Sequence, residues 1–138
     1  MNLSRLKYKR RAATAVEVAL FLPLLIILTF GLIEYGWLFL KAHQITNAAR
    51  QAARVAATPD ATTADVQAVV NTLMANAGLS GGQYTMTINP GDITEIEPGN
   101  SLVVGISVSY TEIKLTGVPL IPTPSQLSSS ITMTKEGP

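Results

Sequence analysis

The chain has 138 residues and no cysteine, which excludes a disulfide framework, a thiol nucleophile and thiolate metal ligation. Its net charge of +1 hides an asymmetry: Arg5, Lys7, Lys9, Arg10 and Arg11 are five of the ten basic residues, while the rest has five basic against nine acidic residues, a net of −4. A basic cluster abutting an apolar run, instead of lying on a folded surface, argues against a nucleic-acid partner.

Met1 to Arg11 has no periodic apolar pattern and reads as an orienting or processing segment. From Val18 to Ile33 there is no charge, and the apolar run resumes after Glu34 and Tyr35 as far as Leu40. As a helix, Val18 to Leu40 would rise ~35 Å, enough to cross a hydrocarbon core of about 30 Å. The expectation is a single transmembrane helix with Met1 to Arg11 cytoplasmic and Lys41 onward outside, by the positive-inside rule. Trp37, Phe39 and Lys41 make a poor signal-peptidase site, whereas Tyr35, Trp37 and Phe39 resemble an interfacial aromatic belt marking the outer membrane boundary.

The helix should continue beyond the span. Ile45, Ala48, Ala49, Ala52, Ala53 and Ala56 recur at helical spacing, and Gln44, Asn47, Gln51 and Arg54 take the other side. Alanine favours helix and lets another backbone approach closely. Thr58, Pro59 and Asp60 end the rod, which from about Ala15 would be ~65 Å long.

A second helix is expected from Thr62 or Thr63, with Asp65 in its first turn, a buried stripe of Val66, Val69, Val70, Leu73, Met74 and Ala77, and Gly78 as the stop. After the turn Gly78 to Gly82 the period becomes two. Tyr84, Met86 and Ile88 form one strand and Asn89 to Asp92 a turn; Ile93 to Glu97 reads as a short edge strand. Leu102, Val104, Ile106, Val108 and Tyr110 give the clearest strand, and Leu127, Ile131 and Met133 line a last one. Three prolines make Thr116 to Pro124 a loop. The expected fold is α+β: a long N-terminal transmembrane helix running into a small domain, in which a second helix packs on a short antiparallel sheet of 3–4 strands. Its divisions are a basic leader (1–12), the transmembrane helix (13–40), the extracytoplasmic continuation (41–57) and the small domain (58–138).

Glu17 is the most informative single residue. An unpaired carboxylate costs roughly 2.5–3.5 kcal/mol at the centre of a membrane helix and less near an end, so a partner is expected unless Glu17 sits at headgroup level and faces water. A cut between Ala12 and Ala13 would place a new α-amine one helical turn away, badly set against the positive end of the helix dipole; Glu17, on the same or a neighbouring subunit, would offset it. Pro23 leaves the carbonyl of Ala19 without its helical donor and is a candidate kink. Glu34 marks the outer end of the span, reaches the outer interface, or pairs with Lys41 or a neighbouring subunit.

Arg50 and Arg54 form an i, i+4 pair on a solvated face or against an acidic partner. Asp92, Glu95, Glu97 and Asn100 lack the spacing of a defined calcium loop and read as a solvated loop. His43 stands alone, with no triad, metal cluster or phosphate-binding glycine loop, so no catalytic constellation, cofactor site or metal site is expected.

The run RRAATAVEVALFLPLLIILTFGLIEYG resembles the N-terminus of TadE-like proteins, minor pseudopilins of tight-adherence (Flp-type) pilus systems. The resemblance implies that a prepilin peptidase cuts a basic leader on the cytoplasmic side, with Ala12 the last leader residue, Ala13 the new N-terminus and Glu17 the fifth-position glutamate. Pro23 matches the family proline, and Glu34, Tyr35 and Gly36 match a later triplet. Ala12 stands where the family usually has Gly, and Val18 where it has Phe or Tyr. The implied setting is a bacterial inner membrane, the small domain is implied to be pilin-like, and the implied partners are other pilin and pseudopilin subunits, the peptidase, the assembly platform and membrane lipid. The alternative is an unprocessed signal-anchored binding domain of the cell envelope.

Overall fold

The computed structural model describes the backbone of residues 3–137 and the side chains of residues 14–137. Its first element, α1 (Leu3–Ala57), is one 55-residue helix that passes through Pro23 without ending. The expected break after Ala57 is present. Thr58 turns back with its N–H and hydroxyl on the carbonyl of Val55, at 3.1 and 2.7 Å, and Pro59 cannot extend the ladder.

Helix α2 (Thr63–Asn76) starts at Thr62 with a reciprocal cap: the Asp65 N–H donates to the Thr62 hydroxyl at 3.3 Å, and the Thr62 N–H donates to the Asp65 carboxylate at 2.9 Å. It ends where Gly78 adopts φ +77° and the Leu79 N–H closes on the Met74 carbonyl at 2.9 Å, a left-handed closure that favours glycine.

The sheet has three antiparallel strands in the order β1 (Tyr84–Asn89), β2 (Ser101–Ser109), β3 (Gln126–Thr134). Tyr84 faces Val108, and Ser101 faces Thr134. Period-two burial along β2 puts Leu102, Val104, Ile106 and Val108 on the inner face.

The core lies between this face, α2 and the C-terminal part of α1. Ala49, Ala52, Ala53 and Ala56 are fully buried, as are Val66, Val70 and Met74 of α2. Val69 and Leu73, expected in the same stripe, are only half-buried at its margin. Because methyl groups take little room, both α2 and the sheet can approach α1, and the larger side chains opposite supply most of the buried area. Each such side chain contributes about 1.5–3 kcal/mol relative to exposure.

Two expectations are corrected. Ile93 to Glu97 is not an edge strand. It is a run of turns in which Asp92 accepts from the N–H and hydroxyl of Thr94, at 2.9 and 2.6 Å, while Ile93 and Ile96 tuck into the core. A spacing of three, between Pro90 and Pro98, buries both isoleucines only if the chain coils. Tyr110 does not extend β2; it opens a short helix, α3 (Tyr110–Ile113), that leads into the proline-rich loop.

Candidate functional site

Burial along α1 divides the helix in two. From Val16 to Ile33 every large apolar side chain is exposed, and Glu17 lies exposed among them. The bare stretch from Thr14 to Ile33 is 20 residues, or ~30 Å, which is the thickness of a hydrocarbon core. Within it the Thr29 hydroxyl donates back to the Leu25 carbonyl at 2.8 Å, so it needs no outside partner. One long apolar helix of this kind is compatible with a single-pass membrane anchor. Pro23 lies in its middle, and the helix continues on both sides. The cleavage pair Ala12 and Ala13 falls outside the residues whose side chains are described.

Cover begins at Glu34, which is completely buried. Glu34, Leu38, Lys41 and Ile45 are spaced by four, three and four residues and therefore share the face that Ala48 and Ala52 continue. The segment after β2 wraps over that face. The Tyr110 hydroxyl and the Leu115 N–H donate to Glu34 Oε1 at 2.9 and 3.2 Å. The N–H groups of Thr116 and Gly117 donate to Oε2 at 2.7 and 3.4 Å, and the Thr116 hydroxyl donates to the same oxygen. Three successive amides around one carboxylate form an anion nest. Gly117 closes it at φ +61°, where a side chain would be strained. Burial first, and then the bond to the Glu34 carboxylate, push the Tyr110 hydroxyl above its ordinary 10.0, so it remains a donor at neutral pH.

The neighbouring aromatics fasten the same loop. Trp37 Nε1 donates to the Ile113 carbonyl at 2.7 Å, and the Tyr35 hydroxyl donates to the Pro122 carbonyl. Phe39 remains exposed, its ring edge-on to His43 with centroids 5.0 Å apart. Tyr35 and Trp37 therefore turn their polar ends to the loop, although the sequence pattern alone predicts an aromatic belt.

Glu34 neither reaches an open interface nor pairs with Lys41. The two residues share a face but lie seven residues apart, ~10.5 Å along the axis, too far for an ion pair. Lys41 is buried with its Nζ on the Ala77 carbonyl at the end of α2 and 4.7 Å from the Trp37 ring centroid. Lys135 repeats the device at the end of α1: its Nζ donates to the carbonyls of Ala56 and Thr58, at 3.3 and 2.7 Å, beside the Glu136 N–H on the Ala57 carbonyl at 2.8 Å. A cation at a helix C-terminus satisfies orphan carbonyls and suits the dipole.

Arg50 and Arg54 are exposed on the outer side of α1. No group of three or more His, Asp or Glu that could hold a metal occurs among the described residues; Asp92 is engaged with Thr94.

Residues 12–54 match the family model described as TadE-like protein, which covers the bare stretch, the Glu34 region and the first part of the alanine stripe. The matched segment is about a third of the chain. No curated protein and no solved structure matches the chain.

Proposed function

We propose, from a chain whose residues 12–54 carry the TadE-like pattern, that this protein is a minor pseudopilin acting in assembly of a tight-adherence pilus. The observation that carries the reading is the bare apolar half of α1 with a lone carboxylate near its start, joined without a break to a domain that covers only the other half. The protein works by assembly and carries out no catalysis. In the membrane the exposed residues Val16 to Ile33 face lipid, with the N-terminal end cytoplasmic and the α+β domain outside. On assembly the same surface packs against the apolar helices of other pilin and pseudopilin subunits at the inner-membrane platform. A prepilin peptidase cuts between Ala12 and Ala13, and Glu17 neutralises the resulting α-amine, its own or a neighbour's. Pro23 loosens one turn of the helix as it packs.

The test is the mature N-terminus of the membrane-extracted protein, read together with pilus formation. Processing should expose Ala13, an Ala12→Gly variant should be processed more completely, and Glu17→Ala should be processed but fail to support pili. An intact N-terminus together with unimpaired pili in Glu17→Ala would overturn the reading.

A further inference from the structure

Outside α1, Leu115 and Leu120 are the two exposed large hydrophobic residues among the described residues, at 50% and 72%. An exposed leucine alone is ordinary and calls for no partner. Their placement is not ordinary. Both belong to the loop after α3, and that loop is tied to α1 at the level where the bare apolar stretch ends.

The ties also give its direction. Ile113 is held by Trp37, whereas Leu115, Thr116 and Gly117 are held by Glu34, three residues nearer the bare stretch, so the chain descends ~4.5 Å along the helix axis toward Ile33. It returns at Pro122, held by Tyr35. Leu120 therefore lies on the part of the loop between its lowest tie and its return, while Ile121 beside it is buried and anchors the turn. Lys114, exposed at the start of the descent, offers a cation at headgroup height.

We infer that this loop is a second membrane contact: residues 114–120 rest in the outer interface of the bilayer beside α1, with Leu115 and Leu120 inserted among the upper acyl chains and Lys114 among the phosphates. The inference rests on α1 being the membrane anchor. The occupant is lipid because both leucines are exposed on a loop bonded to α1 at Glu34, Tyr35 and Trp37, at the edge of a stretch whose length is that of the hydrocarbon core. The Glu34 nest sets the depth of the loop, because it fixes three consecutive amides to a helix that cannot slide relative to the domain.

The chain's lack of cysteine makes the test direct. Single variants Leu115→Cys, Leu120→Cys, Leu25→Cys and Thr132→Cys of the full chain, labelled with an environment-sensitive nitrobenzoxadiazole, are reconstituted in vesicles of phosphatidylethanolamine and phosphatidylglycerol. The lipids carry a doxyl quencher near the headgroup in one preparation and near the acyl-chain terminus in another, the first read at positions 115, 120 and 132 and the second at position 25. Labels at positions 115 and 120 should lose most of their emission at every protein-to-lipid ratio, and a label at exposed position 132 should lose almost none. Quenching at 25 without quenching at 115 and 120 overturns the inference and leaves the anchor standing. No quenching at 25 overturns the anchor and the inference together. A blue shift at 115 and 120 that appears only at high protein density shows a contact between copies in place of lipid, and overturns it as well.

Discussion

Tyr110 and Glu34, 76 residues apart in sequence, are joined by a 2.9 Å hydrogen bond in which the phenol donates to the carboxylate. It is one of five donors converging on a side chain with no exposure. An ionised carboxylate can be buried only when its lone pairs are taken, and here a loop built mainly of backbone amides takes them.

Glu34→Gln keeps the shape and removes the charge, and it sets an NH2 group against a cradle of donors. The expected loss is roughly 1.5–3 kcal/mol, the usual contribution of hydrogen bonds to a charged group, and it should fall on the loop. Amide exchange at Leu115, Thr116 and Gly117 should accelerate while amides of β2 keep their protection. Unchanged exchange at those three amides would show that the nest does not hold the loop.

Lys41→Met retains most of the aliphatic bulk and loses the cation on the Ala77 carbonyl. It should destabilise the end of α2, with faster exchange at Gly78 and Leu79. Combined with Glu34→Gln, the two losses should add within about 0.5 kcal/mol, as for residues without a shared partner. A coupling well above that in denaturant titrations would mean that the two charges do interact.

Thr62→Ala removes the cap of α2 and should cost about 1 kcal/mol in chemical denaturation. The same change carries a pH signature. The Thr62 hydroxyl first, and its N–H second, hold Asp65 below its ordinary 3.8. A depressed folded value means that the contribution is present above 3.8 and disappears as pH falls through the folded value. Wild type should therefore lose stability over that acid range more steeply than Thr62→Ala. Parallel curves would remove the cap from the account.

Ala52→Leu places an isobutyl group where α1 meets its neighbours with no exposed surface left. Overpacking of this kind typically costs about 1–3 kcal/mol, whereas Gln51→Leu, one position away on the exposed side, should be nearly neutral. The midpoint of unfolding in detergent separates the two. Equal effects would mean that the alanine face is not closely packed.

Much of this architecture was legible in residue spacing. The alanine stripe, the Thr62 cap and the alternation along β2 are local patterns, and local patterns carry their own period. The edge strand expected at Ile93 to Glu97 is absent because two isoleucines three apart cannot share one face of a strand, and the flanking prolines and Asp92 favour turns. The role of Glu34 was hidden for a different reason: its partners lie some 80 residues away, and their amides carry no side-chain signal. A clue was nonetheless present. Glu34, Leu38, Lys41 and Ile45 are in phase with the alanine stripe, so extending that stripe backwards would have put the carboxylate on the covered face. Glu17 and Pro23 had no such help, since the rest of the chain leaves the surface they occupy bare.

The unbroken course of α1 also has a mechanical consequence. The bare half of the rod and the half on which the α+β domain is built are one helix, and the Glu34 nest leaves no swivel where the two meet. Torque applied to the bare stretch between Pro23 and Glu34 is therefore delivered whole to the sheet. A single-residue screw displacement, about 1.5 Å of travel with about 100° of rotation, would swing the domain through more than a quarter of a circle. The α+β domain works as a rigid crank whose bearing is set by whatever grips the bare part of its shaft.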